Sequence, residues 1–189
     1  MKKNGLITLG VILAIVILGF TTVISVYNGI VSKHETITAK WAQVDNQLQR
    51  RNDLIPNLVN TVKGYAAHEK TVFENITDAR SQWAKANTID EKVQAAKATD
   101  AALARLLLVV ENYPDLKASA NFLSLQDELA GTENRIAVER MRYNEAVKDY
   151  NISVRTFPGN IVAGSCGFKV AAEYFKAEEK AKTTPEVKF

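Results

Sequence analysis

His68 and Glu69 are the residues whose types come nearest to metal chemistry, an imidazole ligand beside a carboxylate able to take a proton from bound water. The helical metalloprotease pattern needs a second histidine four residues after the first, so that both imidazoles share one helix face, and that position is Val72. The other histidine, His34, lies far away in sequence. Gly159, Gly164 and Gly167 lack the spacing of a phosphate-cradling loop, and no Lys-Ser or Lys-Thr pair follows them. No nucleophile–base constellation can be named. The sequence therefore predicts no catalytic residue, no metal site and no cofactor.

Polar residues set within apolar stretches are more informative. Arg50, Arg51, Asn52 and Asp53 lead into Leu54-Ile55-Pro56, with Asn57 and Asn60 beyond. Further along, Asn134, Arg135, Arg140, Arg142 and Asn144 punctuate an apolar helical stripe. Such groups form either interhelical hydrogen bonds that fix register or a surface for a partner or for self-assembly. The candidate positions are Arg50, Arg51, Asp53, Asn57, Asn60, Arg142, Tyr143, Asn144, Tyr150 and Asn151. Tyr143-Asn144 and Tyr150-Asn151 stand seven residues apart, which puts both pairs on one helix face as a tyrosine ridge, either packed or at an interface.

These residues must be positioned by helices, because apolar residues recur at spacings of three and four almost throughout. One stripe runs Ile30, Ile37, Trp41, Val44, Leu48, Ile55, Leu58, Val62, Tyr65. Two positions on the stripe are polar, His34 and Arg51, and with them the mean step is close to the 3.5-residue period of coiled coils and left-handed bundles. Pro56 predicts a kink or brief break, and the helix should end between Gly64 and His68. A second pattern covers 69–112, with Thr88 and Glu91 placed as a capping box; the sequence leaves open whether this is one helix or two. A third runs from about Asp115 to Val154. Short connections make such neighbours antiparallel. The predicted fold is all-α: an elongated antiparallel up-down helical bundle following one N-terminal transmembrane helix. The segments are an anchor over 1–27, the bundle over 28–157 and a C-terminal region over 158–189. In that last region, Ile161 to Phe168 reads as a loop, Phe168 to Phe175 as a short amphipathic helix, and Thr183 to Phe189 as a flexible tail.

The anchor is the strongest single signal. No charged residue occurs between Asn4 and Ser32, and the apolar centre runs from Leu6 to Val26. About 21 helical residues rise roughly 31 Å, the thickness of a bilayer's hydrocarbon. The run is longer than a signal peptide's apolar region and has no Ala-x-Ala after it, so it is expected to stay attached. Lipoprotein processing would need a cysteine near its end, and the sole cysteine is Cys166, expected to be a small packed residue. Lys2 and Lys3 favour an N-terminus inside, nearly balanced by Lys33 and Lys40, so the bulk of the chain is expected on the extracytoplasmic side of the bacterial inner membrane.

Of 24 basic and 21 acidic residues, Lys2 and Lys3 precede the anchor, and the remainder carries 22 basic against 21 acidic. This mixed surface argues against a nucleic-acid-binding face. One cysteine leaves no internal disulfide. Asn75-Ile76-Thr77 and Asn151-Ile152-Ser153 match the glycosylation sequon, a pattern short enough to arise by chance.

The chain resembles the LemA family of bacterial membrane proteins. The resemblance rests on Trp41-Ala42-Gln43-Val44-Asp45, on Gln49 to Val59, on Tyr65-Ala66-Ala67-His68-Glu69, and on Tyr113 to Ala118. It continues through Leu125 to Leu129, Thr132 to Ala137, Arg142-Tyr143-Asn144, Tyr150-Asn151 and Phe157-Pro158, and is weakest over Gln82 to Ala102. It implies an N-terminal anchor, an antiparallel helical domain and no established enzymatic activity, with envelope proteins such as membrane peptidases as partners. Three readings follow. The leading one is a non-catalytic structural or interaction protein, in contact with the lipid bilayer, forming a homo-oligomer or scaffolding an envelope partner, without nucleic acid. The second is a sensor or signalling ectodomain acting through a membrane partner, and the third a cryptic metal hydrolase using His68 and Glu69.

Overall fold

The computed structural model describes residues 2–171, 174 and 175. Its elements are α1 (Lys2–Lys63), α2 (Lys70–Lys85), α3 (Ile89–Val110), α4 (Pro114–Lys117), α5 (Ala120–Arg155) and α6 (Gly159–Cys166). The fold is all-α, with no strand among the described residues. Two compact units divide the chain, one of residues 1–44 with 138–189 and the other of residues 45–137.

The first unit contains the apolar span. From Leu6 to Ile24 its large side chains are exposed, Leu6 to 75% and Phe20 to 66%. No protein among the described residues covers them, unlike the helix of a buried core, which leaves a surface suited to lipid. Thr21 and Thr22 do not disturb that surface, because both hydroxyls donate to the Leu18 carbonyl, at 3.0 and 2.7 Å. Without a turn, the same helix enters a packed environment. Ile30 is buried with Tyr150, Val154, Val162 and Ala163, and Val26, Ile37 and Phe168 pack on that cluster. α1 and the end of α5 run antiparallel here: His34 meets Tyr150 edge-on at 5.4 Å, and seven residues on Trp41 meets Tyr143 at 5.8 Å.

The C-terminal region departs from expectation twice. The segment expected as a loop is largely helix, α6. Gly164 costs a helix about 1 kcal/mol relative to alanine, but Val162 and Ala163 bury against Ile30 and offset it. Gly159 is required for a different reason. A Cβ there would sit 1.9 Å from the Ser153 carbonyl oxygen, so the start of α6 approaches α5 more closely than any side chain permits. Gly167 ends α6 in the left-handed region at φ 77°, with its own N–H and that of Phe168 both donating to the Ala163 carbonyl. The second departure is the expected amphipathic helix over Phe168 to Phe175. Phe168 to Ala171, Tyr174 and Phe175 are not helical. The tail expected over Thr183 to Phe189 lies outside the described residues. Cys166, expected to be packed, is exposed.

The second unit is built from residues 45–63 of α1, then α2, α3, α4 and the first half of α5. Ile55, Leu58, Val62, Phe73, Ile76, Leu106, Leu116 and Phe122 form its core. α1 passes Pro56 without the expected break. A proline inside a helix costs about 3 kcal/mol or more, but fully burying an aliphatic side chain returns about 1.5–3 kcal/mol, and Ile55, Leu58 and Val62 beside it are all buried. The stretch 69–112 is two helices. Thr88 Oγ1 accepts from the Glu91 N–H at 3.2 Å while Glu91 Oε2 accepts from the backbone of Asn87 and Thr88 at 2.8 and 3.1 Å, completing the expected capping box. The Asn87 and Thr88 amides hold the Glu91 carboxyl below its ordinary value.

Gly159→Ala is expected to destabilise the first unit by about 2 kcal/mol or more, the range of overpacked cores. Gly164→Ala, where nothing stands within 4 Å of the added carbon, is expected to be neutral or stabilising. Denaturant unfolding of the two variants checks this, and equal midpoints would refute the close approach at Gly159.

Candidate functional site

Two polar constellations stand out, one in each unit. In the second unit Arg51 lies on α1 among core residues with its side chain only 4% exposed. Its Nη1 donates to Asp100 Oδ1 at 2.5 Å and to Glu133 Oε2 at 2.9 Å, and Nη2 to the Ala96 carbonyl at 3.4 Å. A planar guanidinium, with five N–H donors in a fixed fork, is suited to reach two carboxylates and a carbonyl on different helices. Arg51 thus ties α1 to α3 and to α5. Its Nε and the Oδ1 of neighbouring Asn52 are buried without a protein partner. Lys92 continues the polar seam, with Nζ 2.7 and 2.6 Å from the two oxygens of Asp45 and 5.2 Å from the centre of the Trp83 ring. The Trp83 indole N–H donates to Gln49 Oε1 at 3.0 Å, and Gln49 Nε2 donates to Asp53 Oδ1 at 2.7 Å.

In the first unit the constellation is a pair of asparagines on α5 holding the chain that follows α6. Asn151 Nδ2 donates to the Ala171 carbonyl at 3.0 Å, and Asn151 Oδ1 accepts from the Ala171 N–H at 2.8 Å. Asn144 repeats the motif on Phe175, donating to its carbonyl at 3.0 Å and accepting from its N–H at 2.8 Å. Each carboxamide thus replaces a peptide group of a neighbouring strand. The two anchor points on the segment, Ala171 and Phe175, are not helical, and their backbone groups bond the two carboxamides in place of the partners a helix would give them. Tyr150 adds a third backbone contact, its hydroxyl donating to the Lys169 carbonyl at 2.8 Å. Aromatic contacts flank the segment: Phe168 on Tyr27 at 5.6 Å, and Phe175 in a socket of Trp41, Tyr143 and Arg140 at 5.9, 5.4 and 5.3 Å.

The ten candidate positions therefore divide. Tyr143, Asn144, Tyr150 and Asn151 converge on the 168–175 segment, with both tyrosines buried, so the ridge is a packed one. Arg51 is the buried ion-pair centre. Arg142 is exposed and pairs with Glu139 one turn back. Arg50, Asp53, Asn57 and Asn60 are exposed on α1 and join neither constellation, although Asp53 accepts from Gln49. His68 is exposed, and the adjacent Glu69 receives the Tyr113 hydroxyl at 3.4 Å. Asp100, Glu133, Trp41 and Phe175 belong to the two constellations but are not among the ten candidate positions. The first two look like any solvated charge on a helix face, and Phe175 sits in a stretch whose spacing suggested a helix.

Comparison with known proteins places these features in a family. The family model described as LemA matches residues 40–189. The chain is 30% identical over 190 residues to magnetosome protein MamQ 2 of Paramagnetospirillum magneticum, covering 87% of this chain and 69% of that protein. It is 29% identical over 191 residues to magnetosome protein MamQ of Magnetospirillum gryphiswaldense, covering 87% and 70%. It is 29% identical over 119 residues to protein LemA of Metamycoplasma hominis, covering 61% of this chain and 53% of that protein.

Two outcomes are expected. Replacing Asp100 and Glu133 together by alanine strands a buried guanidinium and should destabilise the chain by about 3 kcal/mol, whereas Arg51→Met removes the buried charge and leaves two carboxylates that are 37% and 51% exposed to water, and should cost clearly less. Equal losses in denaturant titrations would refute Arg51 as a buried charge held by those carboxylates. Burial pushes the Tyr150 phenol above its ordinary value, so the fold favours its neutral form. That contribution is complete below about pH 10, the unfolded value, and is lost as pH rises through the folded value. Alkaline titration followed by tyrosinate absorbance should show one tyrosine ionising late, and Tyr150→Phe should abolish that phase.

Proposed function

The chain belongs to the LemA family, and from that premise we propose that it is a membrane-anchored, non-catalytic interaction protein of the bacterial envelope that self-assembles. One observation carries the reading: α1 is a single helix whose exposed apolar part leads without a turn into residues packed in the core around Ile30. A removable leader would have to be cut from within that helix. The helix that enters lipid also carries part of the packed surface, so the anchor fixes how the adjoining residues meet the membrane. Tethering many copies to one bilayer raises their local concentration, so weak lateral contacts suffice for assembly. The extracytoplasmic side is favoured by Lys2 and Lys3 ahead of the span.

Two measurements test this. Lysine-reactive crosslinking in intact membranes should give a ladder of homo-oligomers; monomer alone would overturn self-assembly. Cys166 is exposed and is the only cysteine. A membrane-impermeant maleimide should therefore label intact spheroplasts, and labelling only after permeabilisation would reverse the orientation.

A further inference from the structure

We propose that the turn between α5 and α6, together with the outer face of α6, is a second membrane contact, with Phe157 and Ile161 seated in the headgroup zone of the bilayer beside the anchor. The inference rests on the membrane-anchored part of the reading above and does not depend on self-assembly.

The position of the turn follows from the register of the first unit. His34 meets Tyr150 and Trp41 meets Tyr143, so α5 approaches the anchor residue for residue as α1 leaves it. Ile30 and Val154 continue that register in one buried cluster. Three residues past Val154, Phe157 stands at about the level of Tyr27, where the apolar span ends. α6 lies at the same level. A Cβ on Gly159 would be 4.0 Å from Ile30 Cδ1, and Val162 and Ala163 are buried with Ile30. The headgroup zone extends about 5–7 Å beyond the hydrocarbon on each side of a bilayer. The four residues from Val26 to Ile30 rise about 6 Å. With hydrocarbon ending near Val26, the α5–α6 turn falls within headgroups.

The surface at that level suits such a zone. Phe157 is 79% exposed and Ile161 59%, while Val162 and Ala163 of the same helix face inward. No charged residue occurs from Thr156 to Phe168, as none occurs on α1 before Lys33. The first charges on leaving either run are cations, Lys33, Arg155 and Lys169, all of them exposed. The acids Glu35 and Asp149 come farther from the anchor along α1 and α5. Apolar side chains bounded by basic ones hold a bilayer surface by placing the former at the acyl boundary and the latter on phosphate. Lipid surrounds the span on every side, so the direction in which Phe157 points around the axis does not alter the argument. α1 has no turn before Ile30, so a bilayer that encloses the span reaches the α5–α6 turn without any movement of the chain.

The test uses the full chain in liposomes of equal parts phosphatidylcholine and phosphatidylglycerol. Cys166→Ser removes the native thiol, and a nitroxide is placed on Ile161→Cys, Glu145→Cys or Val16→Cys in turn. Power-saturation EPR compares collisions with oxygen, which concentrates in lipid, and with a nickel chelate, which stays in water. Position 16 lies within the exposed apolar span. Position 145 is exposed on α5 two residues from Tyr143, which meets Trp41, and so stands about 20 Å along the axis beyond Val26. The oxygen-to-nickel ratio at 161 is expected to be several-fold above that at 145 and below that at 16; circular dichroism establishes that each variant remains helical. Equal ratios at 161 and 145, with a lipid-like value at 16, overturn the second contact and leave the anchor standing. A water-like value at 16 sinks the anchor as well. Shielding of 161 from both reagents would mean that a second copy covers this face, and that outcome also overturns the proposal.

Discussion

A helix that passes from lipid into water without a turn has to change its surface while its backbone stays the same. α1 meets that constraint along its length. Over Leu6 to Ile24 it is apolar on every side, as a helix surrounded by hydrocarbon must be. Beyond Val26 only one face stays apolar, and Ile30, Val44, Leu48, Ile55, Leu58 and Val62 are buried in turn while the residues between them face solvent. No loop uncouples the two regimes. Any force on the anchor is thus transmitted into the core around Ile30, and any rearrangement of that core is felt at the membrane surface.

Apolar stripes alone specify burial poorly, because a helix with residues at three-and-four spacing can slide by one turn and still bury a similar set. The polar contacts remove that freedom. Arg51 can reach Asp100, Glu133 and the Ala96 carbonyl only at one register of three helices. Asn144 and Asn151 can grip Ala171 and Phe175 only at one register of the following chain. Whether Arg51 also adds stability depends on its desolvation, since a buried ion pair often does no better than a well-packed apolar group. Its geometric role does not depend on that balance.

The sequence displays the regular part of this architecture because helices advertise themselves locally. The capping box at Thr88 and Glu91 and the uncharged run before Lys33 were readable, since each is a short-range pattern with one physical meaning. Tyr143, Asn144, Tyr150 and Asn151 were recognisable as one face from their spacing. What they hold was not, because a carboxamide that binds backbone leaves no mark on the sequence of its ligand. The 168–175 stretch has helix-like spacing, yet its described residues are not helical and Ala171 and Phe175 bond the two asparagines instead. Gly159 similarly gives no sign that the Ser153 carbonyl stands against it. At Pro56 the helix continues where a brief break was one of the two expected outcomes, since the local penalty is outweighed by burial on both sides.

The two constellations differ in what they leave available. The Arg51 centre is closed by three helices of one chain, and nothing can replace its partners without unfolding the unit that contains them. The asparagine clamp is closed by a segment that follows α6 and whose described residues, 168–171, 174 and 175, are neither helix nor strand. Its contacts are mostly to backbone, so they tolerate change in the segment's sequence provided an aromatic residue fills the Trp41–Tyr143–Arg140 socket. Phe168 and Ala171 also pack on the cluster of Ile30, Val154, Val162 and Ala163, so the segment joins the core as well as the carboxamides. The polar residues of the second unit therefore fix the register of helices, while those of the first fix the chain that follows the last helix.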